Sequence, residues 1–153
     1  DQLCEISARA LSPGTNDPYT AIDCLHWLAE PLVDMARGTP PPHLLRDDDK
    51  TLRVVADALT FERTLRHAFE ALRPYVQTDR LAATEALRIL EKVLDACLND
   101  EQRRAVLHQV TELQSGCERC LPHTVDKDAM TAAAERLLKR SGLGLKGALT
   151  QAA

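Results

Sequence analysis

Ala10-Leu11-Ser12-Pro13-Gly14-Thr15-Asn16-Asp17-Pro18-Tyr19-Thr20-Ala21 is a corner between two apolar helices, made almost wholly of residues with special backbone behaviour. Pro13 cannot continue a helix and biases Ser12 towards an extended conformation, so the first helix stops near Leu11. Gly14 is expected to take positive φ at no steric cost. Asn16 or Asp17 followed by Pro18 is a helix start, because a side-chain oxygen caps free N–H groups and proline fits the first turn. That turn offers backbone donors, the positive end of a helix dipole and the hydroxyls of Tyr19 and Thr20, the makings of an anion or polar-ligand site. Asp17 opposes this, since a carboxylate at that end satisfies the same donors. A capped helix–loop–helix corner is the plainer expectation.

Leu3 to Ala21, reading LCEISARALSPGTNDPYTA, resembles the signature of the family called domain of unknown function 2254, predicted bacterial inner-membrane proteins. In that family several membrane-spanning helices precede a soluble helical region that opens with a motif close to ALSPGxNDPxTA. The resemblance implies that this chain is that soluble C-terminal region, on the cytoplasmic face of the inner membrane, with the transmembrane segment of the full-length protein as its partner. Weaker likenesses recur in the proline-rich stretch before His43, in Arg46-Asp47-Asp48-Asp49-Lys50 followed by Leu52-Arg53-Val54-Val55, and at Phe61. The resemblance runs to about Thr78 and brings no enzyme activity with it. A start at Asp1, inside a helix and without methionine, is expected of a piece whose anchors lie upstream.

A chain of 153 residues suits one domain with a real core. It is 44% hydrophobic but only 3% aromatic, so Leu, Ala, Val and Ile build the core and base-stacking platforms are scarce. With a net charge of −4 as well, nucleic acid is not an expected partner. No apolar run approaches the roughly 20 residues that cross a bilayer, so this piece is expected to be soluble. Five cysteines without a regular framework suit a reducing compartment.

The helix before the corner places Leu3, Ile6 and Ala10 on one face and pairs Glu5 with Arg9 on its surface. Arg9 lies within the motif, where it would bridge to Asp17 or point at a ligand. From Pro18 to about Arg37, polar residues occupy one narrow stripe, Asp23, His26, Glu30, Asp34 and Arg37. Apolar residues including Trp27 wrap the rest, which predicts a central helix buried on most sides and bent at Pro31. Asp23, His26 and Glu30 have the spacing to meet one metal, but a solvated helix edge predicts the same stripe. An enzyme reading, hydrolytic or metal-dependent, would centre on Asp17, Asp23 and His26, yet it lacks a complete nucleophile–base pair or metal set and ranks lower.

Thr39-Pro40-Pro41-Pro42 is a stiff connector into a small β-hairpin near 43–55, whose acidic turn lacks the alternating ligands of a calcium loop. Thr60 caps a helix with Phe61, Leu65, Ala68, Phe69, Leu72 and Val76 inward and Glu62 and Arg66 paired outside. Asp79 starts the next, and Asn99 or Asp100 the one after. Cys117-Glu118-Arg119-Cys120 with His123 behind it is formally a metal or redox motif. A structural zinc site needs four ligands, and both thiols continue the apolar stripe of Val106, Val110 and Leu113, so the core reading is preferred. A last helix from about Asp126 closes at Gly142, and 143–153 is a flexible tail or partner-binding arm.

The expectation is therefore an all-α bundle of about six helices with one small β-hairpin, a single domain over 1–142, needing no cofactor. Its expected role is assembly or ligand sensing through the loop 12–20, with Arg9, Ser12, Gly14, Asn16, Asp17 and Thr20 as ligand-binding residues. A purely structural homo-oligomerisation module is the alternative outside enzymology.

Overall fold

The computed structural model describes residues 2–39, 44–56 and 59–142. In chain order it contains α1 (Gln2–Ala10), α2 (Pro18–Arg37), β1 (Leu44–Arg46), β2 (Leu52–Val55), α3 (Phe61–Val76), α4 (Arg80–Ala96), α5 (Asp100–Cys120) and α6 (Thr124–Arg140). The architecture is the expected one. The proline connector at 40–42, His43 and the tail from 143 onwards lie outside the described residues.

The starts of α2, α3, α4 and α5 follow one rule, which α6 does not share, since His123 before it makes no side-chain cap bond. Asp17, Thr60, Asp79 and Asn99 each accept the backbone N–H three residues on, from Thr20, Arg63, Ala82 and Gln102. Such a bond satisfies an N–H that the helix itself leaves free, and for neutral caps such as Thr60 and Asn99 contributes about 1 kcal/mol. Short turns then set consecutive helices side by side. At the α3–α4 turn the amides of Thr78 and Asp79 donate to Tyr75 and Val76, and the turn seats on α5 at Gly116. A Cβ there would lie 2.1 Å from Oε1 of Gln77.

α4 lies at the centre of the bundle, in contact with α2, α3, α5 and α6. Ala82, Ala83, Ala86, Ile89, Leu90, Val93 and Leu94 are all buried. The small alanines let α2 approach closely through its own buried Ala21, Ala29 and Ala36. This corrects the expectation for α2, which is amphipathic rather than buried on most sides: Trp27 is 72% and Tyr19 71% exposed. The physical reason is that α2 packs on α1, α3 and α4 along one broad face, and apolar type alone does not place Trp27 on it. α2 runs through Pro31, which is exposed. Gln102, also buried, ties this end of the bundle together: Nε2 donates to the Ala36 carbonyl at 3.1 Å, and Oε1 accepts the Leu98 N–H at 2.8 Å.

The hairpin is antiparallel, pairing Leu44 with Val55, Leu45 with Val54 and Arg46 with Leu52, with an irregularity between Leu45 and Arg46. Asp47 organises its turn. One carboxylate oxygen accepts the N–H groups of Asp49 and Thr51, and the other accepts from Arg53 at 2.6 Å. Lys50 adopts the left-handed conformation at φ 61°. Every residue of both strands is exposed.

Candidate functional site

The corner between α1 and α2 is closed by its own polar groups. The hydroxyl of Ser12 donates to the Arg9 carbonyl at 2.7 Å and lies 3.3 Å from the Thr15 hydroxyl. The Ser12 carbonyl accepts both the Thr15 and Asn16 N–H groups, and Asp17 N–H returns to the Ala10 carbonyl at 2.8 Å. The left-handed turn falls on Asn16 at φ 45°; among the described residues the one glycine with positive φ is Gly142. Gly14 was expected to supply it, but asparagine also tolerates this region, so Asn16 turns the chain directly before the cap.

Asp17 then receives the Thr20 N–H on one oxygen at 3.1 Å and the Thr20 hydroxyl on the other at 2.6 Å. Those hydrogen bonds, the hydroxyl first, hold its carboxyl below the usual aspartate value. The N-terminal donors of α2 that would greet an anion thus already meet a carboxylate. Ser12, Gly14, Asn16, Asp17 and Thr20 therefore sit together at one corner, with Gly14 and Asn16 exposed and Ser12, Asp17 and Thr20 half-buried. Arg9 stands on α1 beside them, and among the described residues it forms an ion pair neither with Glu5 nor with Asp17. The expected Glu62–Arg66 pair is likewise absent among the described residues. Ser7, one turn before the corner, has a fully buried hydroxyl without a hydrogen-bond partner.

The polar stripe of α2 faces two ways. His26 meets Glu85 of α4 at 2.8 Å, and Glu30 meets Lys92 of α4, so these side chains form cross-helix pairs. Burial pushes the Glu85 carboxyl up, but hydrogen bonds from His26 and Arg88 outweigh it and hold it below the ordinary value. Glu85 and Lys92 lie 59 and 62 residues from their partners, so no local spacing could have announced them. Asp23 is exposed. Asp17, Asp23 and His26 are not gathered into one cluster, since Asp17 turns to Thr20 and His26 to Glu85.

Cys117 is fully buried and its thiol is pushed up to about 11 by burial, whereas Cys120 is exposed. Only Cys117 continues the core stripe. Cys120 falls three residues on, as the last residue of α5, and His123 is an exposed residue at the start of α6. Cys4, Cys24 and Cys97 are buried as well. Among the described residues no three His, Cys, Asp or Glu side chains stand where they could hold a metal ion.

Among the described residues no helix is long and apolar enough to cross a membrane. No solved structure matches the chain. Its relatives include an uncharacterized protein of Mycobacterium bovis and another of Mycobacterium tuberculosis, each 30% identical over 135 residues. That is 88% of this chain but 26% of each relative, so the chain spans about a quarter of their length. A family model described as "Predicted membrane protein (DUF2254)" matches residues 1–92, from α1 into α4. With the motif, the corner it builds and that match in hand, the chain belongs to this family of predicted membrane proteins.

Proposed function

We propose that this chain is a helical assembly module of a membrane protein, with the hairpin as its docking element and the 12–20 corner as a rigid joint. One observation carries the reading. Leu44, Leu45, Leu52, Val54 and Val55 are between 43% and 70% exposed, so the hairpin shows apolar side chains on both faces. A lone two-stranded hairpin is marginal in water, and its unpaired edges are ready for another strand. The occupant in this reading is another part of the same full-length protein, because the relatives carry about three-quarters of their length outside the matched region. The module lies on the cytoplasmic side in this account, in keeping with five free cysteines.

The corner supports the joint reading better than a sensing one, since its hydroxyls and the Asp17 carboxylate are engaged with each other. Cysteine crosslinking tests the docking. A Val54→Cys variant of the full-length protein, with the native cysteines replaced, should crosslink within one chain to a segment outside the module. Crosslinks between two modules would instead make a second copy the occupant, and none at all would remove the hairpin from assembly.

A further inference from the structure

The short turns on either side of α5 lay α4 and α6 side by side in the same direction, and ion pairs tie their like ends. Arg80 meets Asp126 at 3.5 Å near the start of both helices, and Arg140 meets Glu91 at 2.7 Å and Asp95 at 2.6 Å near their ends. Between these ties lies a cleft of about 380 Å³. Its floor is apolar, from Leu87 on α4 and Met130, Ala133 and Leu137 on α6. That volume falls in the range of about 300–1,000 Å³ typical of small-molecule sites.

The charges around it are uneven. Three guanidinium groups, Arg80, Arg88 and Arg136, face two carboxylates, Glu91 and Asp126. Asp126 is held by Arg80, Glu91 by Arg140, and Arg88 turns to Glu85 at 3.0 Å on its own helix. Among the described residues Arg136 has no carboxylate, and it stands over the apolar floor in a chain whose net charge is −4. A guanidinium fork matches the two oxygens of a carboxylate or phosphate, while the floor takes hydrocarbon.

We propose that the α4–α6 cleft binds a small anionic amphiphile, its carboxylate or phosphate head on Arg136 and its alkyl chain along Leu87, Met130, Ala133 and Leu137. The head can come from a free fatty acid or from an anionic lipid, and both present the same chemistry. The site is independent of the hairpin and of the corner.

Titration calorimetry of the 153-residue chain with decanoate, below its micelle concentration, tests this. Saturable one-to-one binding is expected, weakened about tenfold or more by Arg136→Gln, since the charge-assisted pair with the head is lost. Ala133→Phe, which fills the floor, should weaken it from the apolar end, and both variants should keep the wild-type melting temperature. Binding of phosphatidylglycerol vesicles but not phosphatidylcholine vesicles, displaced by decanoate, would make the source a lipid. Decanoate binding without vesicle binding would make it a free acid. No saturable decanoate binding, equal binding of decanol, or unchanged affinity in Arg136→Gln would overturn the proposal.

Discussion

The carboxylate of Asp17 holds Thr20 twice, through the backbone N–H at 3.1 Å and the hydroxyl at 2.6 Å. The first turn of α2 is therefore fixed to the loop that delivers it. Because these bonds lower the folded pKa of Asp17, their contribution is present above the unfolded-chain value and is lost as pH falls through the folded one. Asp17→Ala should lower Tm by roughly a few degrees at neutral pH, and the gap should narrow in acid. A gap that does not change with pH contradicts the assignment. An anion that raises Tm for the wild type but not for a folded Asp17→Ala variant would make the corner a ligand site instead of a joint.

Gln102 satisfies the end of α2 and the α4–α5 turn together, through Ala36 and Leu98. Gln102→Leu fills similar space but leaves a carbonyl and an N–H without partners, at a cost of about 1–3 kcal/mol in urea unfolding. Retention of full stability would show that the two backbone groups find other partners.

Thiol labelling separates the cysteines. Burial pushes Cys97 and Cys117 up to about 11 and raises Cys4 and Cys24, so at pH 8 these four are expected to be slow. A single fast phase from Cys120 should appear in the native chain, and all five thiols should react once it is unfolded. Equal rates for Cys117 and Cys120, or protection of both that a chelator relieves, would return the pair to a metal or redox role.

Glu85 provides the second acid-sensitive contact. Its folded pKa lies below the ordinary 4.5, so its pairing with His26 and Arg88 stabilises the fold above that value and fades as pH falls through the lower one. Glu85→Gln should cost up to about 1 kcal/mol at pH 7, screened because His26 is half exposed, with the cost vanishing in acid. Chemical denaturation at a series of pH values reads this directly, and a cost that grows in acid would reverse the sign.

The helices were legible because their start signals are local: Asp17, Thr60, Asp79 and Asn99 each act within three residues of themselves. The inward face of α3 was equally plain, since Phe61, Leu65, Ala68, Phe69, Leu72 and Val76 repeat at helical spacing and all are buried. What periodicity could not decide was which helix lies at the centre. α2 has the more continuous apolar surface, yet α4 is surrounded because its alanines admit close neighbours, a property of pairs of helices. The same limit hid the candidate sites. His26–Glu85 and the Arg136 cleft are made by residues far apart in the chain, whereas the corner, contiguous in sequence, could be read residue by residue. Even there the left-handed residue moved from Gly14 to Asn16, because hydrogen bonds to the Ser12 and Ala10 carbonyls set where the turn falls.

Hydrogen exchange at the amides of β1 and β2 tests the assembly role most directly, compared between this chain alone and the full-length protein in its membrane. A docked hairpin should exchange rapidly in the chain alone and at least about 100-fold more slowly in the full-length protein, as a local opening free energy of several kcal/mol requires. Equal, rapid exchange in both would contradict the account and leave the hairpin an exposed arm without a docking role.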